Sequence, residues 1–254
     1  MKRGLLVLLG FLALGVLGLG QHVYVFYYSR SSGQDAEVNL LNISTKPSNY
    51  KLQIYDAWGK LLWEKEGDLA PKDATFQTLS KNIPEDAGNW GIALVTSSEP
   101  MVIGVEYFLN QESVTVDLIT WEFPTQGESV YWAGIYHTEV AGTSTGLILM
   151  NPSGQEVTGQ LVIYKSDGSV ASQGSFTLSP FEAKFYNLLQ IVESSTRMWG
   201  LLEVFSQGSP IAIACKYFRD NLMRVKNVPG QFLQQVTEQP NQPQPVTPGP
   251  QKED

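Results

Sequence analysis

The stretch LQIYDAWGKLLWEKEG, Leu52–Gly67, is told a second time as LVIYKSDGSVASQGS, Leu161–Ser175. At a spacing of 109 residues Leu52, Ile54, Tyr55 and Gly59 fall on Leu161, Ile163, Tyr164 and Gly168. Each telling is a β-like run, a turn around a glycine and a returning run, which reads as a hairpin. Among the residues that are not repeated are two tryptophans: Trp58 gives way to Asp167 and Trp63 to Ser172.

Working outward, the same spacing holds without a gap from Asn42 to Ser97. It pairs Asn42 with Asn151, Pro71 with Pro180, Phe76 with Phe185, Trp90 with Trp199 and Gly91 with Gly200. One inserted residue then moves the spacing to 110, where Pro100 meets Pro210 and Tyr107-Phe108 meets Tyr217-Phe218. Each copy is about a hundred residues, the size of an independent domain and too long for one solenoid unit. Within a copy, runs such as AEVNLLNI, WGIALVT, MVIGVEYF and SVTVDLIT are rich in Val, Ile, Thr and aromatics and are parted by turn residues. The segments KDATFQTLSKNI and FEAKFYNLLQIVESS are both expected to be extended. The fold predicted is all-β, two tandem antiparallel β-sandwich domains related by internal duplication. The first spans residues 21–122 and the second 129–229, joined near Trp121–Ser129.

Before the first domain, Lys2 and Arg3 precede an apolar run from Gly4 to Gly20, which reads as a signal peptide over residues 1–20. The alternative is an uncleaved anchor, since the run approaches the roughly 20 residues that span a bilayer. No Cys follows the run to carry a lipid. Cleavage near Gly20 would take the formal charge from −8 to −10 by removing Lys2 and Arg3. A secreted, periplasmic or cell-envelope location follows. After the second domain, residues 230–254 carry five prolines between Pro240 and Pro250 and read as a disordered tail.

Seventeen Lys and Arg against 25 Asp and Glu, with no basic cluster, argue against nucleic acid as a partner. Contact with a membrane is expected only if the N-terminal segment stays uncleaved. The lone cysteine, Cys215, lies in the apolar run PIAIACKYF and reads as a small buried side chain rather than a nucleophile. No phosphate-binding, dinucleotide, serine-hydrolase or zinc-protease motif is present. His137 and Glu139, two apart in YHTEV, could share one face of a strand as two metal ligands or an acid/base pair, but no third ligand is evident. Asp167-Gly168 lacks the alternating acids of a calcium loop and reads as a hairpin turn. Asn42-Ile43-Ser44 matches a glycosylation acceptor, although Asn42 and Asn151 both fit better as residues that close a strand.

The second copy resembles a known family. YHTEVAGTSTGLILMNPSGQEVTGQLVIYKSDGS carries a His and Glu, a strand ending in Asn, then a strand and a tight turn. TLSPFEAKFYNL and SQGSPIAIACKYFRD are similar to that family's later strands. The family is the sensory rhodopsin transducer-like small β-sandwiches, whose transducer-type members are small, single-domain, cytosolic and oligomeric. The resemblance implies a non-catalytic sandwich that binds something.

Three functions are therefore weighed. The first is an exported structural or protein-interaction module of the cell envelope, non-enzymatic and without a cofactor. The second is a carbohydrate-binding protein. In the turn where the second copy has Asp167, Trp58 is expected to face solvent, and with Trp63 and Tyr55 it would form an aromatic platform. The third is a metal-assisted hydrolase built on His137 and Glu139. Trp90 and Trp199, each opening an apolar strand, are expected in the core. The partner is a protein or a glycan, and self-association is compatible with the arrangement.

Overall fold

Alternating apolar residues make each half of the chain a pair of sheets with one wall facing inward. The computed structural model describes residues 21–30, 33–84, 87–124, 129–136, 143–191, 199–219, 222–229 and 231–232. The expected leader, His137, Glu139 and nearly all of the expected tail lie outside the described residues.

The first half holds β1 (His22–Ser29), β2 (Gln34–Asn42), β3 (Ser48–Asp56), β4 (Leu61–Leu69) and β5 (Ala74–Thr78). A single helical turn, α1 (Leu79–Asn82), leads into β6 (Trp90–Ser97), β7 (Met101–Leu109) and β8 (Glu112–Ile119). The second half follows the same order. It comprises β9 (Ser129–Tyr136), β10 (Thr143–Met150), β11 (Val157–Lys165), β12 (Val170–Leu178), β13 (Ala183–Asn187), α2 (Leu188–Ile191), β14 (Trp199–Gln207), β15 (Ala212–Arg219) and β16 (Leu222–Val228). All pairings given for these strands are antiparallel, and the sheets repeat as well. Sheet order β1-β6-β3-β4 corresponds to β9-β14-β11-β12, and β5-β2-β7-β8 to β13-β10-β15-β16.

Small irregularities recur too. The β3–β4 ladder slips at Ile54/Tyr55 and the β11–β12 ladder slips at Ile163/Tyr164. Asn42 and Asn151 are fully buried and act alike. Each carboxamide donates to three backbone carbonyls, those of Lys46, Leu69 and Ala70 in one half and Gln155, Leu178 and Ser179 in the other. Each Oδ1 accepts the amide of the Ser two residues on. With its amide occupied and no exposure, Asn42 is a strand-end clamp and not a glycan acceptor in the folded chain. One cross-strand pair is repeated with its partners exchanged. Tyr50 lies opposite Gly67 and its ring covers the glycine, whereas at the corresponding places Gly159 lies opposite Phe176 and is covered by that ring. A glycine in a strand leaves a gap that an aromatic neighbour can fill from either side of the ladder.

Two expectations need correcting. The segments at Leu79 and Leu188 are helical turns, not strand, because one buried leucine in each pins a four-residue turn to the core, too short to show a period. The second sheet does not stop at residue 229 either. Gln231–Phe232 (β17) pairs with β9, just as Phe123 donates to the Val23 carbonyl beside β1 at 2.5 Å.

The halves are docked through unlike faces. The inner face of β13-β10-β15-β16 packs its own core with Leu147, Leu149, Ile213 and Cys215. Burial pushes the Cys215 thiol up to about 12, leaving no thiolate at neutral pH. The outer face of that sheet, with Ile148, Met150, Ala212, Ala214 and Val225, joins the hydrophobic cluster of the first half. It covers the outer face of β1-β6-β3-β4, where Val25, Tyr27, Ile92 and Leu94 are buried. Asn227 closes one side of this joint. Its Oδ1 accepts from Tyr27 N, and its Nδ2 donates to the Asp117 carboxylate and the Tyr107 hydroxyl, at 2.9–3.0 Å. Lys226 pairs with the same Asp117, which is itself buried. The charge is thus compensated and its lone pairs are filled, as a buried carboxylate requires.

Candidate functional site

The β3–β4 hairpin carries Trp58 at its tip. Asp56 Oδ1 accepts from the amides of Trp58 and Lys60 at 2.9 Å, which sets the turn, and Gly59 adopts φ +87°. The hairpin backbone reaches the second half, with Ala183 N donating to Ala57 O at 3.0 Å and Trp58 bridging Glu182. The indole of Trp58 points away and is 83% exposed.

The other two aromatics of the expected platform are elsewhere. Tyr55 is buried and stacks on Phe181 of the second half, with ring centroids 4.5 Å apart and planes 4° from parallel. Trp63 lies opposite Ile54 and packs against the core from within. Its counterpart Ser172, opposite Ile163, is too small to do the same. There, an apolar pocket of about 170 Å³ opens between Leu161, Ile163, Phe176, Tyr186 and Ile191. Trp58 therefore stands without Tyr55 and Trp63 beside it. Among the described residues no group of three or more His, Cys, Asp or Glu is placed to hold a metal ion.

Two sheet faces present apolar side chains to solvent. The first is the outer face of β5-β2-β7-β8. Ladder register sets Phe76, Asn39, Gly104 and Leu118 in one row, with Leu41 and Val102 on one side of it and Val116 on the other. Phe76, Val116 and Leu118 are each more than half exposed. The second is the outer face of β12-β11-β14-β9, where Trp199 is 49% exposed beside Leu201. Val162, Tyr164 and Phe205 lie partly exposed on the same face, and the Tyr164 hydroxyl donates to Glu203 at 2.7 Å. Trp199 is therefore not in the core. Its counterpart Trp90 is sheltered against the buried cluster, and among the described residues nothing covers Trp199 in the same way. Sequence reasoning missed these faces, although SVTVDLIT carries a signal for one of them. Val116 and Leu118 fall on the side of the edge strand opposite buried Asp117 and Ile119, so its outward side is apolar.

No protein-family model matches the chain, and no curated protein matches its sequence. Among solved structures it is similar to Bacteroides uniformis β-glucuronidase 2 at 11% identity, covering 84% of this chain and 26% of that one, with TM-score 0.18. A β-glucuronidase from glycoside hydrolase family 2 matches at 9% identity over 84% and 24%, TM-score 0.20. The Bifidobacterium dentium β-glucuronidase matches at 9% over 81% and 38%, TM-score 0.20. The chain spans well under half the length of each. TM-scores this low do not establish a shared architecture. No helix among the described residues is long and apolar enough to cross a membrane.

Proposed function

We propose that this chain is an exported, non-catalytic protein of the cell envelope, built by duplication of one sandwich domain and acting as a protein-interaction module. The observation that carries the reading is the pair of apolar sheet faces left open to solvent, since contiguous exposed apolar surface marks interaction sites. The resemblance to transducer-like sandwiches points the same way. A photo-crosslinking residue placed at Phe76, Leu118 or Leu201 in the producing cell should give adducts of discrete mass. The same residue at exposed Lys46, in the loop between β2 and β3, should not. Absence of any discrete adduct from the three face positions would refute the reading.

A second reading, glycan binding, rests on Trp58 alone, an indole held outward on a fixed hairpin. A change in tryptophan fluorescence on adding soluble glycans, lost in Trp58→Asn, supports it. No change across a panel of envelope polysaccharides removes it.

A further inference from the structure

The joint between the halves shows what each kind of face binds. The outer face of β13-β10-β15-β16 is a donor face, seated on the outer face of β1-β6-β3-β4, the acceptor. The ladder registers identify the counterpart of each in the other half. The counterpart of the donor is the outer face of β5-β2-β7-β8, and that of the acceptor is the outer face of β12-β11-β14-β9. These are the two faces that remain open.

At several positions the fates are opposite, although Phe76 and its counterpart Phe185, on the edge strands, are both exposed. Leu41 is exposed where Met150 is buried, Ala74 where Ala183 is buried, Val116 where Val225 is buried and Leu118 where Asn227 is buried. On the acceptor side Leu201 is exposed where Ile92 is buried, and Tyr164 is partly exposed where Tyr55 is stacked under Phe181. Even the flank of the acceptor is repeated, with β17 on β9 and Phe123 beside β1. The tight turn that supplies Phe181 to Tyr55 recurs at Lys72, where φ is +64° against +57° at Phe181. An ammonium there is suited to the face of an aromatic ring such as Tyr164.

We propose that the outer face of β5-β2-β7-β8 docks on the outer face of β12-β11-β14-β9 of a second copy of this chain, repeating between molecules the contact that its halves make within one. The proposal rests on the interaction-module reading and names the partner. Such a contact joins unlike surfaces, so it is heterologous and each added copy leaves one donor and one acceptor free. Copies then add head to tail, into a ring if the rotation closes and a filament if it does not.

The test uses the chain from Gln21 onward, where the described fold begins, in sedimentation velocity from roughly 1 μM to 1 mM, the range of weak specific contacts. The wild type should grow past a dimer as concentration rises. Leu118→Glu blocks the donor and Leu201→Glu blocks the acceptor, each at an exposed position, and each alone should stay monomeric. Mixed in equal amounts, the two variants retain one intact acceptor and one intact donor between them. They should form a one-to-one dimer and nothing larger. Val116→Glu and Trp199→Glu repeat the pair if either first variant fails to melt like the wild type. A wild type that stays monomeric throughout overturns the proposal, while discrete crosslinks to another protein would still uphold the module reading. Disruption by only one of the two variants, or no dimer on mixing, also overturns it by pointing to a contact between like faces.

Discussion

Replacing each unrepeated tryptophan with a small polar residue, as the second half has at those places, separates a contact residue from a packing residue. For Trp63 the change is Trp63→Ser. For Trp58 it is Trp58→Asn, because Asp at 58 would add a carboxylate two residues from Asp56. A large aromatic buries roughly 150–250 Å² when fully enclosed. Trp58 is 83% exposed, so its ring hides at most a few tens of Å². At about 25 cal/mol per Å² the loss is under ~1 kcal/mol. Trp63 packs partly buried against the core opposite Ile54. Removing ~100–150 Å² of apolar contact there costs about 2–4 kcal/mol by the same coefficient. Water can enter the space left at a sheet edge, which favours the lower end. Urea titration of the two variants measures both, with unchanged m-values showing that the same surface unfolds. Trp63→Ser should lower the midpoint clearly and Trp58→Asn hardly at all. Equal losses, or a larger loss at Trp58, would refute the placement of the two rings.

Asn42→Ala and Asn151→Ala each strand buried carbonyls that the carboxamide serves, and each should cost about 2–3 kcal/mol in the same titration. Gly59→Ala should destabilise more than Gly168→Ala by thermal melt. Both have φ above +80°, but a Cβ at Gly59 would lie 2.4 Å from the Pro180 carbonyl while the space at Gly168 is open. Lys216 lies over the Tyr27 ring and bonds Gln34 at 3.0 Å, and burial lowers its ammonium to about 8. Below pH 8 it is charged in the folded and unfolded chain alike and the burial penalty is fully present. Between pH 8 and 10 only the folded chain releases the proton, so stability should rise by on the order of 1 kcal/mol. Lys216→Met should abolish that rise and leave a decline above about pH 9, where the unfolded chain ionises Cys215 while burial holds the folded thiol protonated up to about 12. Above pH 10 the buried phenols of Tyr27 and Tyr28, held protonated by burial, pull stability down in both proteins.

The strands were legible because their alternation and turn glycines survive in both halves, and the gapless spacing placed each against its counterpart. The sides on which particular rings lie were less legible. The slip after Ile54 sets Trp63 opposite Ile54 on the inner face while Trp58 stays out on the turn, and nothing in LQIYDAWGKLLWEKEG marks that slip. Tyr55 alternates correctly as an outward residue, but its face is covered by the other half, and a repeat pattern does not say which faces meet. The same limit applies to Trp199. Its position matches Trp90, yet Trp90 packs against the buried cluster while Trp199 is 49% exposed, a difference that the repeat does not encode.

The central claim is that Leu41, Val116, Leu118, Tyr164 and Leu201 are more exposed than their counterparts in the other half because one docking contact is made and its repeat is left open. Hydroxyl-radical footprinting, read residue by residue at a concentration where the chain is monomeric, tests this most directly. Trp199 and Tyr164 should be modified several-fold faster than Trp90 and Tyr55, and Phe76 should react readily. Similar rates at Trp90 and Trp199 and at Tyr55 and Tyr164 would contradict the account.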